Sequence, residues 1–234
     1  MPTEILDINY NDYVSLLGTA HFTRRSLLEA YDAVERLKPT DLAIELDLQR
    51  FQLLNRSCLS CAQRERCSGR CEFIGATDAL GNVDANIWLI DMSERQIAER
   101  IQRFSPSPGS WWFSFVSFPI WEARDDEVDL WEKGLKNEVL KRHDQRLEIL
   151  KMKAPHVWRV LIDDRNALMA ARLSWIVTQA LIKNKHIAML ALTGAAHVNG
   201  ISKLLSSPAH IKEELRRSGL NFTPPRLIRR VRVN

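Results

Sequence analysis

Residues 13–47 read YVSLLGTAHFTRRSLLEAYDAVERLKPTDLAIELD, and the order of chemistry along this stretch decides the fold. YVSLLGTAH is a short apolar run that ends in small residues, which predicts a buried strand followed by a turn. Thr23 or Ser26 can cap the helix that follows, with Leu27, Tyr31, Val34 and Leu37 on one face, and Pro39 ends it. DLAIELD is then a second strand. Strand, helix and strand within about thirty-five residues form a βαβ unit, so the two strands should be parallel with a right-handed crossover.

The same plan returns near the other end. Residues 157–182, VWRVLIDDRNALMAARLSWIVTQALI, form one long helix with Leu161, Leu168, Met169, Leu173, Ile176 and Leu181 available for burial. HIAMLALTGAAH is a strand again, and VNGISKLL opens another helix. Both strands close on Gly-x-x-His, at Gly18 to His21 and at Gly194 to His197. Between them NIWLID is a third strand with Asp91 at its carboxyl end, and Ser93 caps the helix ERQIAERIQRF. The sequence FSPSPGS breaks the chain, and residues from about 122 to 153 are charged and helical, which suggests a mobile or peripheral element. These features predict an α/β protein of two related halves, mostly parallel strands flanked by helices, each half giving one G-x-x-H turn to a shared pocket. Residues 1–234 are read as one domain.

In open α/β sheets, sites lie beyond the carboxyl ends of the strands. His21, Glu45, Asp91 and His197 all fall there. Imidazole is poised near neutral pH and is a frequent ligand of transition metals. Glu45 places a carboxylate at the end of an apolar strand, where desolvation demands a partner: Arg50, Arg165 or a metal. A plain Glu45–Arg165 ion pair is the structural alternative, and Asp47 can cap the next helix. His143, His156, His186 and His210 have no patterned neighbours. No G-x-S-x-G, H-E-x-x-H, P-loop or G-x-G-x-x-G motif is present.

These residues resemble the TraB/PrgY/GumN family, to which the Tiki proteins also belong. Gly18, His21, Ser26, Pro39, Glu45 and Arg50 match its opening motif. Asp91 matches a strand ending L-x-D, and Arg165, Asn166, Met169 and Ala170 its R-[DN]-x-x-M-A segment. Gly194, His197, Gly200 and Ile201 match its closing motif. The resemblance implies a soluble metal-dependent hydrolase, with a peptidase as its leading form. His21, Glu45 and His197 would bind a divalent manganese, cobalt or zinc ion, Arg165 would steady the carboxylate or a developing oxyanion, and Asp91, Arg50, Asn166, Gly18 and Gly194 would support them. A non-catalytic protein that sequesters a peptide or ligand in the same pocket is the second expectation, and a haem or metal carrier the third.

Cys58, Cys61, Cys67 and Cys71 form a C-x2-C-x5-C-x3-C insertion, which suits a structural zinc staple, two short disulfides or, less readily, an iron–sulfur cluster. The aromatic stretch SWWFSFVSFPIW, residues 110–121, suits core packing or a homodimer contact. It is too short and too interrupted to span a membrane, and the polar start MPTEILDINYNDY is unlike a signal peptide, so a cytoplasmic protein acting on a peptide or protein substrate is expected. The net charge of +4 is mild. The basic end RLIRRVRV reads as a solvated edge strand rather than a nucleic-acid contact.

Overall fold

A computed structural model describes residues 5–20, 23–59, 72–81, 85–104 and 125–228. The apolar runs of the sequence become strands β1 (Val14–Thr19), β2 (Asp41–Ile44), β3 (Asn86–Leu89) and β4 (Met189–Gly194), with a short β5 (Arg226–Ile228). They form one five-stranded sheet in the order β1-β4-β2-β3-β5, parallel except for β5, which runs antiparallel to β3. The chain is thus α/β with a mostly parallel sheet. β1 is an edge strand with Ser15 exposed, not the fully buried strand its apolar character suggests, because β4 covers one side of it only. At the far edge, β5 is the solvated strand anticipated in the basic end.

Helices cover both faces. Between β1 and β2 lies α1 (Arg24–Leu37), and between β2 and β3 lie α2 (Leu48–Leu59) and α3 (Glu72–Ala79). These pack on one face, where Ala30, Ala33, Phe51, Phe73 and Ala76 meet Leu42, Ile44, Leu190 and Leu192. The buried stripe of α1 is Ser26, Ala30, Ala33 and Val34, whereas Tyr31 and Leu37 stand exposed, contrary to the sequence expectation. The small residues win because α3 packs tightly on α1: a Cβ on Gly75 would come within 2.1 Å of Leu27. A helix pair that close has room for alanines and none for Tyr31.

On the other face lie the long helix and the two helices after β4. The predicted helix over 157–182 is helical throughout, and runs from α7 (Pro155–Trp158) through a wider π-helical segment at Arg159–Asp164 to α8 (Arg165–Ile182). Met169, Leu173 and Val177 of α8 join Ile201 and Leu205 of α9 (Ala195–Leu205), and Ile211 and Leu215 of α10 (Pro208–Ser218), against Ala43, Met189 and Ala191. None of the helices among the described residues is long and apolar enough to cross a membrane.

The charged segment is helical, as α5 (Asp125–Glu132) and α6 (Lys136–Lys153), but it is not peripheral. Trp131 is fully buried with Val139 against Ala20, the last described residue after β1. Thr23 caps α1, while the Ser26 hydroxyl accepts the Ala20 N–H at 2.9 Å and the Trp131 Nε1–H at 3.0 Å. Glu132 accepts the N–H groups of Arg24 and Arg25 at the start of α1, and Lys136 pairs with Glu29. The hairpin of α5 and α6 is therefore fixed against Ala20 and the start of α1. Trp131→Phe removes the indole donor and some volume, and should lower unfolding free energy by about 1–2 kcal/mol in urea titrations. A loss within error would show that the hairpin is held by its salt bridges alone.

Candidate functional site

α1 leaves β1 for one face of the sheet and α9 leaves β4 for the other, although β1 and β4 are neighbours. Such a divergence marks the usual ligand position in doubly wound sheets, at the carboxyl ends of the two strands. The two Gly-x-x-His strands are the pair that flank it. Gly18 lies opposite Thr193, and Thr19 opposite Gly194. A side chain at 18 would stand 2.8 Å from Val198 and 3.0 Å from the Ala195 Cα, so glycine there lets α9 begin directly over β1.

His197 stands in the first turn of α9, which begins at Ala195 rather than after the histidine as its sequence suggested. Its ring is buried. Nδ1 lies 2.7 Å from Asn166 Oδ1, and Nε2 lies 3.5 Å from Glu45 Oε1. Oδ1 can only accept, so in this contact Nδ1 is the donor, and Nε2 faces the Glu45 carboxylate. Glu45 follows β2 directly. Its Oε2 accepts the Gly194 N–H at 2.6 Å, and its Oε1 pairs with Arg165. The single carboxylate thus ties together the ends of β2 and β4 and the start of α8.

Arg165 reaches further. Its Nε donates to Asp91 Oδ1 at 3.0 Å and its Nη2 to Asp91 Oδ2 at 2.8 Å. Arg50 does not serve Glu45, as one sequence option had it. It donates instead to Asp91 Oδ2 and the Met92 carbonyl, and pairs with Asp47, which also caps α2 through the Gln49 and Arg50 N–H groups. Burial by itself would raise the Asp91 carboxyl, but the Arg165 and Arg50 guanidiniums overcome it and hold Asp91 well below the usual carboxylate range. For Arg165 burial works against the charge, and the carboxylates of Asp91 and Glu45 raise it above the ordinary arginine value.

Sequence reasoning missed Arg172, two turns beyond Arg165. It donates to the carbonyls of Ile90 and Asp91 and fixes the end of β3 from beneath. Burial pushes its guanidinium down to about 10, with Asp91 opposing the change. A second arginine at i+7 on an otherwise apolar helix face was the available signal. Arg100 similarly bonds Asp164 and the Ser218 carbonyl, tying α4 (Glu94–Phe104) to the π-helical segment and α10. Ser93 caps α4, as expected, in a reciprocal box with Gln96.

Glu45, Asp91, Asn166, Arg165, Arg50, Gly194 and His197 therefore come together. His21 lies outside the described residues, as do Cys61, Cys67, Cys71, the side chain of Cys58 and the aromatic stretch at 110–121. Among the described residues no group of three or more His, Cys, Asp or Glu side chains is placed to hold a metal ion. Two such donors, His197 Nε2 and Glu45 Oε1, stand 3.5 Å apart, and Oε1 is also the partner of Arg165.

No family model matches the chain, and no solved structure matches it. An uncharacterized protein of Methanocaldococcus jannaschii is similar to it, with 27% identity over 222 residues that cover 82% of this chain and 53% of that protein. The chain thus spans about half the length of this curated relative.

Proposed function

We propose that the cluster at the carboxyl ends of β2, β3 and β4 is the site of a metal-dependent hydrolase acting on peptides, in line with the sequence resemblance. The observation that carries this reading is the chain Asn166–His197–Glu45: an imidazole with one nitrogen fixed by an amide oxygen and the other turned to a carboxylate, at the sheet's switch point. Two related halves, each giving one Gly-x-x-His turn, remain part of this proposal.

His197 and Glu45 would hold the cation, with His21 as the third ligand by its place in the sequence. The cation would lower the pKa of its bound water and polarise the scissile carbonyl. The chain's own groups have separable roles. Asn166 keeps the proton of His197 on Nδ1, so Nε2 carries the lone pair. Arg165 neutralises the carboxylate pair and lies beside Glu45, where it can donate to an oxygen that gains negative charge. Asp91 and Arg50 hold Arg165 in place, and Gly194 fixes the rotation of the Glu45 carboxylate.

One observation favours the second reading, a pocket that sequesters a peptide without cleaving it. Both Glu45 oxygens already have protein partners, Gly194 and Arg165, so the carboxylate has a structural role as well. A peptide library incubated with the chain, with and without manganese, cobalt or zinc, decides between them. Metal-stimulated cleavage that is lost in His197→Ala supports the hydrolase. Retention of a peptide with no product under every metal supports sequestration.

A further inference from the structure

We infer that Gly200 is a positioning residue for His197, acting through Asn166. Gly200 lies one turn beyond His197 on α9, on the side that faces the start of α8. The Asn166 side chain lies directly on it. A Cβ at 200 would stand 2.2 Å from Asn166 Nδ2, a separation no real pair of such atoms occupies, and 3.0 Å from its Cγ. The absent side chain is therefore the seat of the Asn166 amide. With Nδ2 over Gly200, Oδ1 is the end turned to His197, where it stands 2.7 Å from Nδ1. One missing methyl group thus gives the amide the room it needs to reach the imidazole, where its oxygen meets Nδ1.

Asn166 has nowhere else to go. It is buried, at 5% exposure, so a methyl group at 200 displaces the amide rather than letting it rotate into solvent. Alanine otherwise suits a helix interior better than glycine. The choice of glycine at this position runs against helix propensity and is explained by the amide above it.

This role of Gly200 rests on the proposed site, but its test does not depend on catalysis. Imidazole 15N chemical shifts distinguish the Nδ1–H from the Nε2–H tautomer, and the His197 signal is identified by its loss in His197→Ala. In the native chain above the imidazole's titration range, His197 is expected as the Nδ1–H form. Gly200→Ala should shift it to a mixture or to the Nε2–H form. Asn166→Ala should do the same, and adding Gly200→Ala to Asn166→Ala should change nothing further, since the two act through one contact. If Gly200→Ala fails to fold while the double variant folds, the same contact is indicated.

Failure of both to fold, an unchanged Nδ1–H signal in a folded Gly200→Ala chain, or equal shifts from Gly200→Ala with and without Asn166 would overturn the inference. If the chain hydrolyses peptides, Gly200→Ala should also lower kcat/KM about 10- to 100-fold, the usual cost of disturbing a residue that orients a ligand. No hydrolysis in the native chain would sink the hydrolase proposal and leave the tautomer result standing.

Discussion

Glu45→Gln is expected to reduce metal-stimulated peptide cleavage by about 10²–10⁴-fold while leaving a folded chain. Glutamine keeps the volume of glutamate, and its remaining oxygen can still accept the Gly194 N–H. What it loses is the charge beside His197 and Arg165, and with it both the anionic ligand and any capacity to take a proton. The amide NH₂ would then point at the Arg165 guanidinium, donor against donor. Arg165 keeps two bonds to Asp91, so the stability cost should be about 1–3 kcal/mol rather than that of an abandoned cation. Melting temperature and cleavage rate, measured on one preparation, separate the structural and chemical roles of Glu45. A Glu45→Gln chain that is destabilised but cleaves at the native rate would remove Glu45 from the chemistry.

The largest loss of stability belongs to Asp91, which has no proposed contact with substrate. Asp91→Ala removes one of two carboxylate partners from each of two largely buried guanidiniums and frees the Met92 N–H. Breaking a buried pair by removing one member typically costs about 3–5 kcal/mol, and a loss in that range is expected here because two pairs are broken together. For a chain of this size that lowers the melting temperature by about 10 °C or more. The pH dependence has a definite sign. The Asp91 carboxyl is held below its unfolded value of 3.8, so its contribution is complete above that pH and is lost as pH falls through the folded value. The native chain should therefore lose stability steeply below about pH 4, and Asp91→Ala should lose less over the same interval. Equal slopes in the two chains, read from urea titrations at pH 7 and pH 3, would show that Asp91 is not the carboxylate responsible.

The parts of this site that were legible in the sequence are those set by local rules. An apolar run ending in a carboxylate marks Glu45 and Asp91 as strand-end residues, because nothing else explains a charge there. The spacing of strand, helix and strand from Val14 to Ile44 required a parallel crossover, and the caps at Thr23, Asp47 and Ser93 followed from hydrogen-bonding chemistry within four residues. The parts that were not legible depend on distant segments meeting. Arg50 had Glu45, five residues away, as an apparent partner, yet it turns to Asp91 across the β2–β3 pair. Trp131 sits in an acidic helix whose neighbours gave no sign that its ring packs on Ala20 and bonds Ser26. The shift of the α1 stripe from Tyr31 and Leu37 to alanines was hidden for the same reason, since a helix face is chosen by what packs on it.

The place of β4 in the sheet bears on how this chain comes to be folded. β1 and β2 are separated by a single helix in the sequence, but they never touch as partners; the gap between them is filled by residues 189–194. During synthesis the amino-terminal strands are exposed long before the segment that joins them exists. Until it arrives, β1 has no ladder partner and β2 lacks one of its two, and unpaired strand edges are the surfaces by which nascent chains stick to one another. Closing loops of that length precedes any reward from the contacts, which slows the search. The Glu45 bond to Gly194, and with it the whole cluster around Glu45, is consequently among the last features a growing polypeptide can acquire, and a chain cut short before Met189 would leave the ribosome with an apolar slot in place of a central strand.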